Sequence, residues 1–363
     1  MIALALSGGG SRAIAFHLGC LRALSDRGVL ARVSVISAVS GGAVIAGLFA
    51  YREASFDEFD GTVRNLLRTG LQRAVLRQLL SPGLLSRVAA TNLVSRPLAA
   101  VANIFGGEPP FRRWASRTDA LERALAAHFG DLELSQVSKP NLDVIFNACE
   151  LRTGTAFRFG NQRSGSWRFG EVKGNKVGLA HAVACSAAYP MLLPAMDRQY
   201  TFQKKTETKR ERVVITDGGV YDNLGITCIE PARDERYSLH VHRPDYIICC
   251  HAGYGQLSGK KIPFGFYSRV AMSFESVFRK AQDATVNRLH MHVQTGQIRG
   301  FILPYLGQQD QSLPIEVPDL VTRDKVISYP TDFAAMSDDN IALLSTRGEQ
   351  LTRILLRHYC PEI

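Results

Sequence analysis

Residues 33–51 carry no charged side chain, and this run constrains the fold more than any other feature of the sequence. A stretch of this length and apolarity has two physical homes, the core of a bilayer or the core of a protein. Its internal punctuation favours the second. Val33-Ser34-Val35-Ile36-Ser37-Ala38 is β-branched and reads as a buried strand, residues 43–51 are alanine-rich and read as a buried helix, and Ser40-Gly41-Gly42 forms a turn between them. A strand joined so tightly to a helix belongs to a fold in which helices cover a sheet.

The rest of the chain extends this pattern. Strand-like runs recur at 2–6, 142–149, 213–216, 245–250 and 300–303, with helical stretches such as 13–27 and 118–129 between them. This alternation predicts an α/β protein with a mostly parallel sheet. Residues 160–178 and 203–212 read as surface loops, the second as a hairpin tip. With 363 residues, 46% of them hydrophobic, and no repeat or linker, the expected organisation is one catalytic domain over 1–363 with a helical insertion at 55–130. The seven cysteines form no C-x-x-C pair and sit mostly in apolar runs, a pattern of buried free thiols rather than of zinc ligands or disulfides. Without a basic leader before the first strand, the expectation is a cytoplasmic protein.

The formal charge of +10 is concentrated in the insertion. Between residues 61 and 115 stand eight arginines (Arg64, Arg68, Arg73, Arg77, Arg87, Arg96, Arg112 and Arg113) against one acid, Glu108. Leu71, Val75 and Leu79 share one helical face there while Arg73 and Arg77 point away from it. The segment suits an anionic lipid surface, and equally a solvated arginine face over an ordinary core stripe. No nucleic-acid partner is expected, because the arginines interleave with leucine and alanine rather than aromatic residues and no binding motif accompanies them.

Three small-residue turns carry the chemistry. The first, Ser7-Gly8-Gly9-Gly10-Ser11-Arg12-Ala13, clusters backbone N–H groups between a strand and a helix N-terminus, where negative charge is stabilised. Gly8-x-Gly10-x-x-Ala13 formally fits a dinucleotide fingerprint, but the next strand lacks the acid that would hold a ribose, and a Walker loop lacks its G-K-[ST]. The remaining reading is an oxyanion hole built from glycine N–H groups. The second turn places Ser40 between strand and helix with small neighbours Ala38, Gly41 and Gly42, the arrangement that exposes a nucleophilic hydroxyl. It departs from G-x-S-x-G at Ala38. The third, Thr216-Asp217-Gly218-Gly219, sets a carboxyl at a strand end. Asp217 serves as the base for Ser40 if burial raises its pKa; the alternative is a carboxylate that merely caps its own turn.

These three turns in this order, followed within 185–194 by Cys185-Ser186-Ala187-Ala188-Tyr189-Pro190, resemble the patatin-like phospholipase family over about residues 1–225. The resemblance implies a three-layer α/β/α fold and a serine–aspartate dyad that cleaves fatty-acyl esters of glycerophospholipids without a catalytic histidine. It assigns Ser40 as nucleophile, Asp217 as base, and the N–H groups of Gly8, Gly9 and Gly10 as oxyanion hole, with Arg12 at the basic position that supports the oxyanion or the lipid phosphate. No metal or cofactor is required. Ala13 and Ala38 stand where the family commonly has glycine.

Two other readings stay open. A Ser-His-Asp esterase requires His17, His181 or His251 beside Ser40, and His251, at a strand end, is the strongest of these. A degenerate scaffold that binds lipid or nucleotide without turnover is the second. His290 and His292 would share one side of a strand but lack a third metal ligand. The leading expectation is a hydrolase peripheral to the membrane, acting on phospholipid, with self-association and an unidentified activator as its further partners. Phe264, Phe266, Phe274 and Phe278 in the last third form a lid, a dimer face or core.

Overall fold

The computed structural model describes residues 1–107, 109–255, 259 and 262–363; Glu108, the one acid of the arginine-rich segment, lies outside the described residues. Ten strands form one sheet: β1 (Ile2–Leu6), β2 (Val33–Ala38), β3 (Asp143–Glu150), β4 (Thr155–Gly160), β5 (Ser164–Ser166), β6 (Gly170–Val172), β7 (Met196–Lys204), β8 (Glu207–Asp217), β9 (Tyr246–Cys250) and β10 (Gly300–Ile302). Their order is β10-β9-β1-β2-β3-β4-β5-β6-β7-β8, with β8 pairing back onto β3.

The expected central sheet with helices around it is present, with one correction. Parallel pairing is confined to β10-β9-β1-β2-β3, and β3 to β8 form an antiparallel meander. The expected loop at 160–178 contributes β5 and β6 to that meander, and Ser164, Gly165 and Ser166 are buried in it. The charge-dense 203–212 segment is a hairpin, with Lys205 at positive φ in its turn and paired β7 and β8 continuing on either side.

Burial alternates along the parallel strands because successive side chains point to opposite faces. Leu4, Leu6 and Ile36 join the larger core. There they meet α1 (Gly10–Asp26), α2 (Gly41–Ala50) and α3 (Phe56–Thr69). Between α3 and the next core helix run α4 (Gln72–Leu79), α5 (Pro82–Ala90) and α6 (Arg96–Ile104), followed by α7 (Arg117–Phe129) and α8 (Leu179–Ser186), which return to the large core. Ala3, Ala5, Val35 and Ile145 face the opposite side, a smaller core closed by Leu224, Ile226 and Leu289. Here lie α9 (Gly219–Asp222) and the C-terminal end of α10 (Phe266–Gln294). The short α11 (Arg323–Val326) precedes α12 (Asp338–Tyr359), which packs along α1 in the large core.

Within the 55–130 segment, α3 and α7 belong to the main core. Leu71 is buried, while Val75 and Leu79 pack against a satellite cluster of Leu84, Ala115 and Ala120 with Arg73 and Arg77 turned to solvent. No helix among the described residues is long and apolar enough to cross a membrane. His290 and His292 lie on α10 rather than on a strand, so their spacing of two separates them around the helix.

Candidate active site

The topology brings two strand ends together. β2 pairs with the first half of β3, ending at Ala38 opposite Phe146, while β8 pairs with the second half in the opposite direction, ending at Asp217 opposite Ala148. β2 and β8 therefore run head to head along one edge of β3, and their partner residues are about 7 Å apart at the usual rise per residue. Ser40 follows one end and Asp217 forms the other.

Ser40 has φ 52° and ψ −117°, a conformation that strains a residue with a Cβ. The sharp turn depends on its neighbours. A Cβ on Gly42 would collide with the Leu6 carbonyl, so only glycine lets α2 approach the end of β1 this closely. The Ser40 N–H donates to Ser186 Oγ at 3.0 Å, and Ser186 Oγ donates to the Asn147 carbonyl at 2.6 Å. On the acid's side, the Asp217 N–H donates to the Ala188 carbonyl at 3.1 Å, as does Thr216 Oγ1 at 2.8 Å. The end of α8 and the residues after it thus tie both turns to one support. Asn147 Nδ2 adds bonds to Ser37 Oγ at 2.8 Å and the Ala38 carbonyl at 3.2 Å.

The Asp217 carboxyl is buried, accepts the Gly219 N–H on Oδ1 at 2.6 Å, and has no hydrogen-bond partner on Oδ2 among the described residues. Burial pushes its pKa up to about 7, against the opposing pull of the Gly219 N–H and the nearby Ser40 hydroxyl.

The glycine turn lies against the same point: a methyl group on Gly8 would sit 3.3 Å from Ser40 Cβ. The Gly8 N–H donates to the Asn223 carbonyl at 3.1 Å and the Ser11 N–H to the Asp332 carbonyl at 2.6 Å. Gly9 and Gly10, both at positive φ, keep N–H groups with no acceptor among the described residues. Arg12 is buried beside them, its guanidinium 3.4 Å above the centre of the Tyr254 ring and its Nη1 donating to the Tyr329 carbonyl at 3.3 Å. Burial lowers its pKa to about 9.

Ser40, Asp217, Gly8, Gly9, Gly10 and Arg12 line one cleft of about 830 Å³. His251 lines it too, but burial and the charges of Arg12, His17 and Arg279 push its pKa down to about 3, and its ring stacks on Tyr305 at 4.5 Å. It forms no ion pair with a carboxylate among the described residues, and its Nδ1 is unpartnered. His17 is bound to the Cys250 carbonyl at 3.1 Å, and His181 to Tyr200 Oη at 2.6 Å and Glu122 at 3.1 Å. Phe274 and Phe278 line the cleft rather than the core, whereas Phe264 and Phe266 are solvent-exposed. Sequence reasoning missed Asn147, Asn223 and the support from Ser186, since isolated polar residues gave no spacing signal.

The sequence profile described as patatin-like phospholipase matches residues 4–227. The fold is similar to that of human GIVD cytosolic phospholipase A2, with a TM-score of 0.52 and 11% identity over 98% of this chain and 57% of that one. It is also similar to VipD from Legionella pneumophila, with a TM-score of 0.41 and 14% identity over 99% of this chain and 67% of that one. This chain thus spans little more than half the length of the human protein. No curated protein matches the sequence.

Proposed function

Since the chain belongs to the patatin-like phospholipase family, we propose that it is a lipid acyl hydrolase of the phospholipase A or lysophospholipase type, working through a Ser40–Asp217 dyad. The observation that carries this reading is the head-on meeting of β2 and β8 on β3, which sets a strained serine beside a buried carboxyl whose pKa is about 7. A base of that pKa is half ionised at neutral pH and is basic enough to take a proton in the transition state.

In the first step Asp217 accepts the Ser40 proton as Oγ attacks the acyl carbonyl carbon. Negative charge gathers on the carbonyl oxygen, where the N–H groups of Gly9 and Gly10 donate to it and the Arg12 guanidinium adds a positive potential. Because the Gly8 N–H is committed to Asn223, this reading narrows the oxyanion donors to two of the three glycines. The intermediate collapses, the lysolipid oxygen leaves with the proton from Asp217, and an acyl-serine remains. Asp217 then deprotonates a water that attacks the acyl group and passes that proton to Oγ as the acyl–oxygen bond breaks, releasing fatty acid and restoring Ser40 and the carboxylate. The low pKa of His251 and its lack of a carboxylate partner among the described residues favour the dyad over a triad.

Helices α4 to α6 fit a role in reaching the lipid surface. Leu76, Leu93, Ile104 and Phe105 are 59%, 77%, 79% and 83% exposed, and Arg73, Arg77 and Arg87 form no ion pair among the described residues. The segment borders the cleft, since the Leu71 N–H donates to the carbonyl of Phe333, a cleft residue, at 2.9 Å. Fatty-acid release from mixed phospholipid vesicles tests the assignment. Wild type and His251→Ala are expected to release fatty acid, and Ser40→Ala and Asp217→Asn to lose it. Loss in His251→Ala at intact folding would replace the dyad with a triad.

A further inference from the structure

One end of the cleft is built by the last third of the chain, beyond the segment that matches the family, and its chemistry differs from the acyl end. Leu192, Leu193, Phe274 and Phe278 contribute apolar lining to the cleft. Guanidinium groups gather around Tyr254, Gly255 and Tyr305. Arg279 Nη1 donates to the Gly255 carbonyl, and Arg323 Nε donates to the Gly307 carbonyl at 3.1 Å. A methyl group on Gly255 would lie 3.1 Å from Tyr305 Oη and 3.6 Å from Arg323 Nη2. Arg12 reaches the same corner through its stack on Tyr254.

Of the acidic groups near this corner, one is paired with an arginine of the cleft. Glu275 pairs with Arg279 at 2.7 Å, Asp332 accepts the Ala334 N–H at 3.0 Å, and Asp324, 3.7 Å from Arg323, is in solvent. Asp283, also on the cleft wall, is exposed. Arg12 is 3% exposed, has an unpartnered Nε and forms no ion pair with a carboxylate among the described residues. Burying a cation without an anionic partner is unfavourable, and an anion entering the cleft relieves that cost.

We propose that this corner is a headgroup subsite selecting lipids with a net negative polar end, with Arg279 and Arg323 as the discriminating residues and Arg12 linking the subsite to the glycine turn. The assignment rests on the acyl hydrolase reading of the same cleft. A phosphate oxygen and its neighbouring hydroxyl groups suit planar guanidinium donors, whereas a choline ammonium offers those donors no acceptor.

The test compares hydrolysis of phosphatidylglycerol and phosphatidylcholine in neutral detergent micelles at fixed ionic strength, by wild type and the Arg279→Met/Arg323→Met variant. Fluorophosphonate labelling of Ser40 reports an intact site. Wild type is expected to favour the anionic lipid by about tenfold in kcat/KM, and the labelled double variant to fall within about twofold of no preference, chiefly through KM. Arg279→Lys/Arg323→Lys is expected to recover part of the preference. Calorimetry on Ser40→Ala separates binding from turnover, using glycerophosphoglycerol, glycerophosphocholine and inorganic phosphate as probes. Tighter binding of glycerophosphoglycerol than of the other two supports the subsite even if no lipid is hydrolysed, an outcome that would sink the hydrolase reading alone. Equal binding of the two headgroups, a preference that survives in the labelled Met variant, or tighter binding of inorganic phosphate would overturn the proposal.

Discussion

The turn at Ser40 and the helices α4 to α6 are both rich in apolar residues, yet they place them in opposite ways. Around Ser40, Ala38, Val39, Ala43 and Val44 are buried, and the backbone there is held in a strained conformation by Ser186, Asn147 and the Leu6 carbonyl. Across residues 72–104, Leu76, Leu85, Leu93 and Ile104 are exposed and, among the described residues, only Leu84 is a buried hydrophobic residue. The first region uses burial to hold a serine and a carboxyl away from water. The second leaves apolar and cationic side chains outside, an arrangement suited to meeting lipid rather than to stabilising the fold.

The largest expected contrast between the regions is in activity. Ser40→Ala is expected to reduce fatty-acid release by about a thousandfold or more, whereas Leu76→Ser with Leu93→Ser leaves turnover of a monomeric ester substrate within about twofold. A similar loss from the second pair would dissolve the distinction. Stability separates them next: Gly42→Ala is expected to cost about 3 kcal/mol or more in urea unfolding because the Leu6 carbonyl has no room to retreat, against about 0.5 kcal/mol for an exposed change in α4.

Asp217 sharpens the comparison, because burial raises its pKa from 3.8 to about 7. Between those values the folded chain holds a proton that the unfolded chain has lost, so this group's contribution to stability falls as pH rises through the window and the loss is complete above about pH 7. Asp217→Asn escapes that penalty and is expected to be more stable than wild type by about 2–4 kcal/mol at pH 8, with the difference shrinking towards pH 4, while losing activity. The smallest effect belongs to the outer region. Arg73→Glu with Arg77→Glu is expected to weaken binding to anionic vesicles severalfold, an effect that added salt diminishes, without changing the unfolding midpoint appreciably.

Much of the parallel half was legible because strand, small-residue turn and helix follow one another within a few residues at Ser7–Ala13 and again at Ser40. The expected bounds of β1 and β2 match the structure residue for residue. The meander was harder to read. β5 is Ser164-Gly165-Ser166 and β6 is Gly170-Glu171-Val172, too short and too rich in small polar residues for alternation to show. Which glycine N–H groups are free was also illegible, since Gly8 is committed by the Asn223 carbonyl, a partner more than two hundred residues away that no local pattern announces. The role of Ser186 was hidden for the same reason, although the block containing it stood out in the sequence.

The central claim is that Ser40 is activated by Asp217 alone. It is tested most directly by the rate at which a fluorophosphonate labels Ser40 across pH 5–9, in wild type, Asp217→Asn and His251→Ala. The account predicts a rate that rises with pH around a midpoint near 7 in wild type and His251→Ala, set by the Asp217 carboxyl, and no such rise in Asp217→Asn. A midpoint that survives in Asp217→Asn, or one that disappears in His251→Ala, would contradict it.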